Sequence, residues 1–202
     1  NTAITGKSIE QVKDKLGLII VDAVMTVGEK ASGKVTVDEE DVMIKKQKGS
    51  SMDDAELIRG VVIDKVRVHE GMPKKVPKAK VALVAMPLEI TKTQVKAKIK
   101  ITSADQVNAF SEQEREALKK LADAIIDSGA NVLLCQKGIA DAAQFYLAKA
   151  GVLAIEDVPE KDIKYAARAL HAAVVNKPES LTAKDLGVAD LVEEDDDGKV
   201  TR

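Results

Sequence analysis

Aromatic side chains are nearly missing from this sequence: two Phe, two Tyr and no Trp, 2% of 202 residues. Such a chain lacks the exposed rings on which single-stranded nucleic acid stacks. Its core must be built from Val, Ile, Leu and Ala. Cysteine is as scarce. Cys135 is the only one, so no disulfide forms within the chain, and a reducing, cytoplasmic setting is expected. An excess of one charge is missing too. Thirty-one Lys and Arg stand against 33 Asp and Glu, a net charge of −2, which offers no global attraction to nucleic acid or to an anionic membrane.

No apolar run approaches the roughly 18 residues of a membrane-spanning helix. Residues 1–7 lack the basic start and apolar run of a secretory signal. The chain begins without Met and ends on a polar run at 193–202, as expected of a piece of something longer or of natural processing. No GxGxxG or other phosphate-binding glycine loop follows a strand-like run. His69 and His171 lie far apart with no ligand partner at metal-binding spacing, so packing or surface roles are expected and no metal site is read. Ser50 and Ser51 have no base nearby. No catalytic residue is assigned.

What is present is a globular composition, 45% hydrophobic and 32% charged, long enough for one domain and a smaller appendage. Ser8 with Gln11 reads as a capping box, and Ile9, Val12, Leu16, Ile19, Ile20, Ala23, Val24 and Val27 recur at helical spacing. One long helix is predicted over 8–27, broken at 28–33. A short strand is predicted at 42–46. Residues 45–54 (KKQKGSSMDD) read as a linker, with Asp53 and Asp54 as a capping pair or solvated charge, and the domain boundary falls near Leu57.

Beyond it the period changes. Residues 59–64, 79–85 and 88–91 are short β-prone runs between the turn signals Gly71, Pro73, Pro77 and Pro87. Residues 95–101 alternate strictly, with Lys96, Lys98 and Lys100 on one face. A second long helix is predicted over 103–128, with Ser103 and Gln106 as its capping box and Gly129 as its stop. Its apolar line is Val107, Phe110, Ala117, Leu118, Leu121 and Ile125, interrupted by Glu114. At ~1.5 Å per residue it runs roughly 37 Å. A domain of this size has a radius of gyration near about 15 Å, so the polar first half is expected to project. From 131 onward the order is strand, helix, strand, helix, strand, an α/β core. The acidic run at 193–197 reads as a solvated end.

Two local features could carry chemistry. CQKG at 135–138 joins a strand to a helix N-terminus, where an anion can sit, although lone Gly turns are usually only turns. Cys135 itself reads as a small buried hydrophobe. On the helix at 139–150, stepping ~100° per residue, Ile139, Ala142, Ala143, Tyr146 and Ala150 gather on one face. Asp141, Gln144, Phe145 and Ala148 fall on the other. Phe145 either packs under a neighbouring loop or lines an exposed apolar groove for partner chains; the pattern leaves both open.

The same residues carry a family likeness. ELIRGVVIDK (56–65), GMPKKV (71–76), AKVAL (79–83), GANVLLCQKGIADAAQFYLAKAGVLAI (129–155) and DLG followed by DLVEE (185–194) resemble the group II chaperonins, the archaeal thermosome and its eukaryotic cytosolic relative. The resemblance covers essentially the whole chain. It implies an α/β fold with α+β character: an apical domain of β-sandwich and helical layers with a projecting helical protrusion, preceded by a helical intermediate-domain segment. Residues 1–57 are then the intermediate-domain segment and 58–202 the apical domain, with a lid protrusion at about 91–120 that includes Val107, Phe110 and Glu114. The cavity-facing helix supplies a substrate-binding set of Ile139, Asp141, Gln144, Phe145, Ala148 and Lys149. Lys34 stands in the loop that senses nucleotide.

The ATP- and magnesium-binding equatorial domain and the returning segment with the catalytic Asp lie outside this chain on that reading. The piece itself is therefore expected to hold no cofactor and to be no enzyme. Implied partners are non-native polypeptides and fellow subunits of a double ring, not nucleic acid or membrane. The sequence departs from its relatives at Ala140, Asp141 and Phe145, where Asp-Asp and His are usual, and at Glu156 and Asp157, where a basic pair is usual. Competing readings are a free-standing α/β nucleotide- or small-molecule-binding enzyme using the 135–138 turn, and a purely structural piece of a ring.

Overall fold

The computed structural model describes residues 12–31, 34–38, 41–46, 51, 54–90, 104–195 and 201, and divides the chain into two compact units, Asn1–Val61 and Val62–Arg202.

In the first unit, the run predicted over 8–27 is helical as α1, Lys13–Val27; residues 1–11, with their capping box, lie outside the described residues. Ala23 is buried, while Leu18, Val21 and Met25 are exposed. The expected break holds structure of its own. β1 (Glu29–Ala31) and β2 (Lys34–Thr36) pair antiparallel, Glu29 opposite Thr36 and Ala31 opposite Lys34. Two residues, Ser32 and Gly33, separate the strands, the spacing of a tight hairpin. The strand expected at 42–46 does not form: those residues are irregular and Ile44 is 81% exposed. β1 and β2 pair with each other, and a β-prone run without a partner ladder has nothing to hold it extended.

The second unit is built on β3 (Lys75–Val84), β4 (Val132–Cys135), β5 (Leu153–Ile155) and β6 (Val174–Val175), parallel in the order β5-β4-β3-β6. The crossovers are α2 (Ala104–Asp127), α3 (Asp141–Lys149) and α4 (Glu160–Leu170). A further strand, β7 (Gly187–Glu193), lies antiparallel to the first half of β3, with Lys75 opposite Glu193 and Val81 opposite Gly187. The mixed α/β class read from the sequence is thus the observed one, and among the described residues of this unit the strands form a single mixed sheet.

Strand alternation sorts the core into two layers. Ala82, Val84, Leu133, Cys135 and Ala154 point to one face, where Leu118, Ala122 and Ile125 of α2 and Ala143 and Leu147 of α3 close over them. Val81, Leu83, Val132, Leu134, Leu153 and Ile155 are equally buried but outside that cluster, as are Ile163 and Ala166 of α4. Aliphatic side chains fill both layers, as the shortage of aromatics requires.

Several local expectations change on this frame. β3 continues through Pro77, a turn signal in the sequence, although Lys78 after it takes φ of 49° and is missing from the pairing with β7. From Lys75 to Lys80 the strand pairs with β7 alone, and β4 joins only at Val81; a proline's missing N–H is tolerated where one side of the strand has no partner. Of the β-prone runs at 59–64 and 88–91, only isolated bridges at Ile63 and Leu88 appear. On α2, Ala117 is exposed and Ala122, four residues after Leu118, takes its place on the buried line. Gly129 ends the helix as expected, with φ of 85°. The alternating run at 95–101 and Ser103 lie outside the described residues.

β7 was not anticipated, and it corrects the reading of a solvated acidic end. Lys75 Nζ is 2.9 Å from Glu193 Oε2. Glu194, its side chain 6% exposed, accepts a hydrogen bond from the Arg67 backbone N–H at 3.1 Å and faces the Arg67 guanidinium at 3.6 Å. Gly187 opens β7 because a Cβ there would stand 2.6 Å from Leu170 Cβ.

Candidate functional site

The lead-in to α3 is held like a strand before it becomes a helix. Leu88 N–H donates to the Gly138 carbonyl at 3.1 Å, and Ala140 N–H donates to the Leu88 carbonyl at 3.0 Å. The helix then starts at Asp141 without a side-chain cap, since Ala140 occupies the N-cap position. Asp141 in the first turn and Lys149 in the last complement the helix dipole. Ala143 and Leu147 are fully buried, and Ala142, Gln144, Tyr146 and Ala148 are half-buried.

Asp141, Phe145 and Lys149, four residues apart, form the exposed row. Phe145 is 55% exposed, its ring edge-on to Tyr146 at 5.9 Å between centroids and 69°. Of the two readings of Phe145, burial under a loop is ruled out by this exposure. A second element borders the helix. A Cβ placed on Gly71 would lie 3.9 Å from Ala148 Cβ, so the turn at 69–72 runs alongside α3. His69 is exposed and its Nδ1 accepts the Gly71 N–H at 3.0 Å, a surface role of the kind expected for it. No spacing in the sequence points to this adjacency, because the turn and α3 lie about 70–80 residues apart in the chain and meet only through packing such as the Val68 N–H bond to the Ala154 carbonyl of β5.

The six residues implied as substrate-binding do not all share a surface. Asp141, Phe145 and Lys149 are exposed, Gln144 and Ala148 are half-buried, and Ile139 is 3% exposed in the core. Ile139 precedes the helix and bridges Leu88, so the helical wheel never governed it. Ala150, expected inside, is exposed because the helix ends at Lys149, and Leu147 takes the buried position. Glu114 is half-buried on α2; Val107 and Phe110 lie on the same helix, and Lys34 on β2, with side chains outside the described residues.

The 135–138 turn is ill suited to an anion. Glu156 Oε2 accepts the Ile139 N–H at 2.8 Å, and a Cβ on Gly138 would come 2.5 Å from Glu89 Oε1. Two carboxylates therefore crowd the place where a phosphate would sit, which removes the physical basis of the nucleotide-binding alternative. Cys135 is fully buried, and its Sγ donates to the Met86 carbonyl at 3.3 Å. Burial, with the nearby Glu156 and Asp157 charges adding to it, pushes the thiol up to about 11.

Because the folded value is raised, the unfolded chain loses this proton first as pH climbs. The contribution is complete below about pH 9 and is lost by about pH 11. Urea unfolding of wild type and Cys135→Ala at pH 8 and pH 10.5 checks this: wild type should lose roughly 2 kcal/mol more than the variant. Equal losses would mean the thiol ionises freely in the fold.

Among the described residues, no group of three or more His, Cys, Asp or Glu is placed to hold a metal ion. No helix among them is long and apolar enough to cross a membrane.

The second unit is an α/β fold in which helices cover the sheet and Phe145 stands exposed on α3. The sequence matches the TCP-1/cpn60 chaperonin family over residues 1–201, and the chain belongs to that family. Within it, the similarity runs to thermosome subunits. That of Methanothermococcus thermolithotrophicus is 49% identical over 193 residues, and that of Pyrococcus abyssi 48% over the same length. Each alignment covers 96% of this chain and 35% of the relative, so the chain spans about a third of the length of the curated relatives it matches. The fold is similar to the open-state monomer of a group II chaperonin from Methanococcoides burtonii, with a TM-score of 0.77 and 38% identity over 99% of this chain and 44% of that one.

Proposed function

We propose that this chain is the polypeptide-holding part of a group II chaperonin subunit. On this reading residues 58–202 are the apical domain, 1–57 a segment of the intermediate domain, and about 91–120 the lid protrusion. The observation that carries it is Phe145: in a chain with two Phe and two Tyr, one ring stands more than half exposed on a helix whose opposite face is fully buried. An exposed aromatic on a rigid support gains free energy by covering its surface with another chain's apolar side chains. Asp141 and Lys149 on either side keep the face wet when it is empty.

ATP with magnesium would be bound and hydrolysed by parts of the longer subunit, with Lys34 sensing the nucleotide, and fellow subunits would complete a double ring. The chain alone would hold no cofactor and turn over nothing. A denatured enzyme diluted into buffer tests the reading. Added chain should lower light scattering in proportion to its concentration, with no ATP present. Scattering that is unchanged while the chain stays folded would leave it a purely structural piece.

A further inference from the structure

We infer that Glu156 is a positioning residue for the exposed face of α3, a role that rests on reading that face as the polypeptide grip. The helix begins without a side-chain cap, yet in its lead-in the Ile139 N–H donates a charge-assisted hydrogen bond at 2.8 Å to Oε2 of Glu156, 17 positions later. Two backbone bonds from the same loop flank it: Val158 N–H to the Cys135 carbonyl at 3.0 Å and Asp157 N–H to the Lys137 carbonyl at 3.3 Å. The loop after β5 is thus laced to the whole 135–139 turn, and Glu156 contributes its side-chain tie.

The backbone conformation of the loop supports this role. Asp157 has φ of 51°, the left-handed region that is unfavourable for a residue with a Cβ. In that conformation Asp157 N–H reaches the Lys137 carbonyl while its neighbour Glu156 reaches Ile139. From Ile139 the Gln144 side chain carries the constraint into the helix, its Nε2 donating to the Ile139 carbonyl at 2.7 Å. Gln144 directly precedes Phe145, so fixing Ile139 fixes the first turn and the direction in which the ring stands. On the opposite side the turn is held by Leu88, which leaves Glu156 to set the position against β5.

Glu156→Ala and Glu156→Gln separate this from a general structural role, since the Gln carbonyl still accepts the Ile139 N–H. Three readouts apply: amide hydrogen exchange at Ile139, melting temperature, and the dissociation constant for fluorescein-labelled, reduced and carboxymethylated lactalbumin. In Glu156→Ala, Ile139 exchange should rise about tenfold, the low end for one charge-assisted hydrogen bond. The dissociation constant should rise about fivefold while Glu156→Gln restores both, as expected of an interaction that the amide can replace. Glu156 is half-buried and is itself no member of the apolar core cluster; should the Ala variant fail to fold, Glu156→Asp, one methylene short, carries the same comparison. Unchanged exchange at Ile139 overturns the inference, and so does faster exchange with unchanged capture. If instead Phe145→Asp leaves capture intact, the grip has been assigned to the wrong face, and the exchange data still report whether Glu156 holds the turn.

Discussion

Phe145→Asp should abolish most capture of an unfolded polypeptide and leave the fold standing. More than half of the ring is exposed. Phenylalanine buries 150–250 Å² when fully covered, so a docked chain hides about 100 Å² more, worth about 2.5 kcal/mol. Replacing it with a carboxylate forfeits that gain and adds the cost of dehydrating a charge. The dissociation constant for carboxymethylated lactalbumin should therefore rise at least about 50-fold. Among the described residues, the ring's one aromatic contact is the edge of Tyr146, so unfolding free energy should fall by only about 1 kcal/mol. Phe145→Leu, which keeps an apolar side chain, should stay within about threefold of wild type. A large drop in melting temperature with capture unchanged would make Phe145 a packing residue.

Leu147→Ala, two residues further on, should do the reverse. Leu147 has no exposed surface and sits among Leu118 and Ile125 of α2 and Leu133 of β4. Removing its isobutyl group leaves a void between helix and sheet, which costs about 3 kcal/mol where neighbours relax only partly. In a unit of this size the melting temperature should fall by roughly 10 °C. The molecules still folded should bind lactalbumin as wild type does. A fall below about 3 °C would mean that α3 is loosely seated, and would undercut the view that Phe145 stands on a rigid support. The two substitutions together separate gripping from seating on one short helix.

Much of the core could be read before any coordinates. α4 at 160–170 is the second helix, and β4 and β5 the first two strands, of the alternation read from 131 onward, and Gly129 stops α2. Each of these signals is local: apolar period, length, and a stop residue of special φ. The outward placement of Phe145 is legible by the same means, since two steps of ~100° put it about 160° around the wheel from both Ala143 and Leu147. Elements whose stability comes from a distant partner were not legible. β7 reads GVADLVE with no two-residue alternation, since beyond Gly187 neither of its faces is fully buried, and it is held in place by β3 more than 100 residues earlier. The run at 42–46 has better strand composition and stays irregular for want of such a partner.

By itself, then, the amino-acid sequence determined the aliphatic core, the α/β order, and the aromatic on the polar side of a helix. It also carried the family likeness that the full-length match bears out. Tertiary structure alone decided that β3 passes through Pro77, that Glu194 meets Arg67, and that Glu156 closes the turn ahead of α3. The physical reason is the range of the interactions. A side chain's face on its own element follows from backbone geometry within a few residues. Which backbone group a strand, a carboxylate or a bare N–H finds opposite it is settled only when segments far apart in sequence pack together.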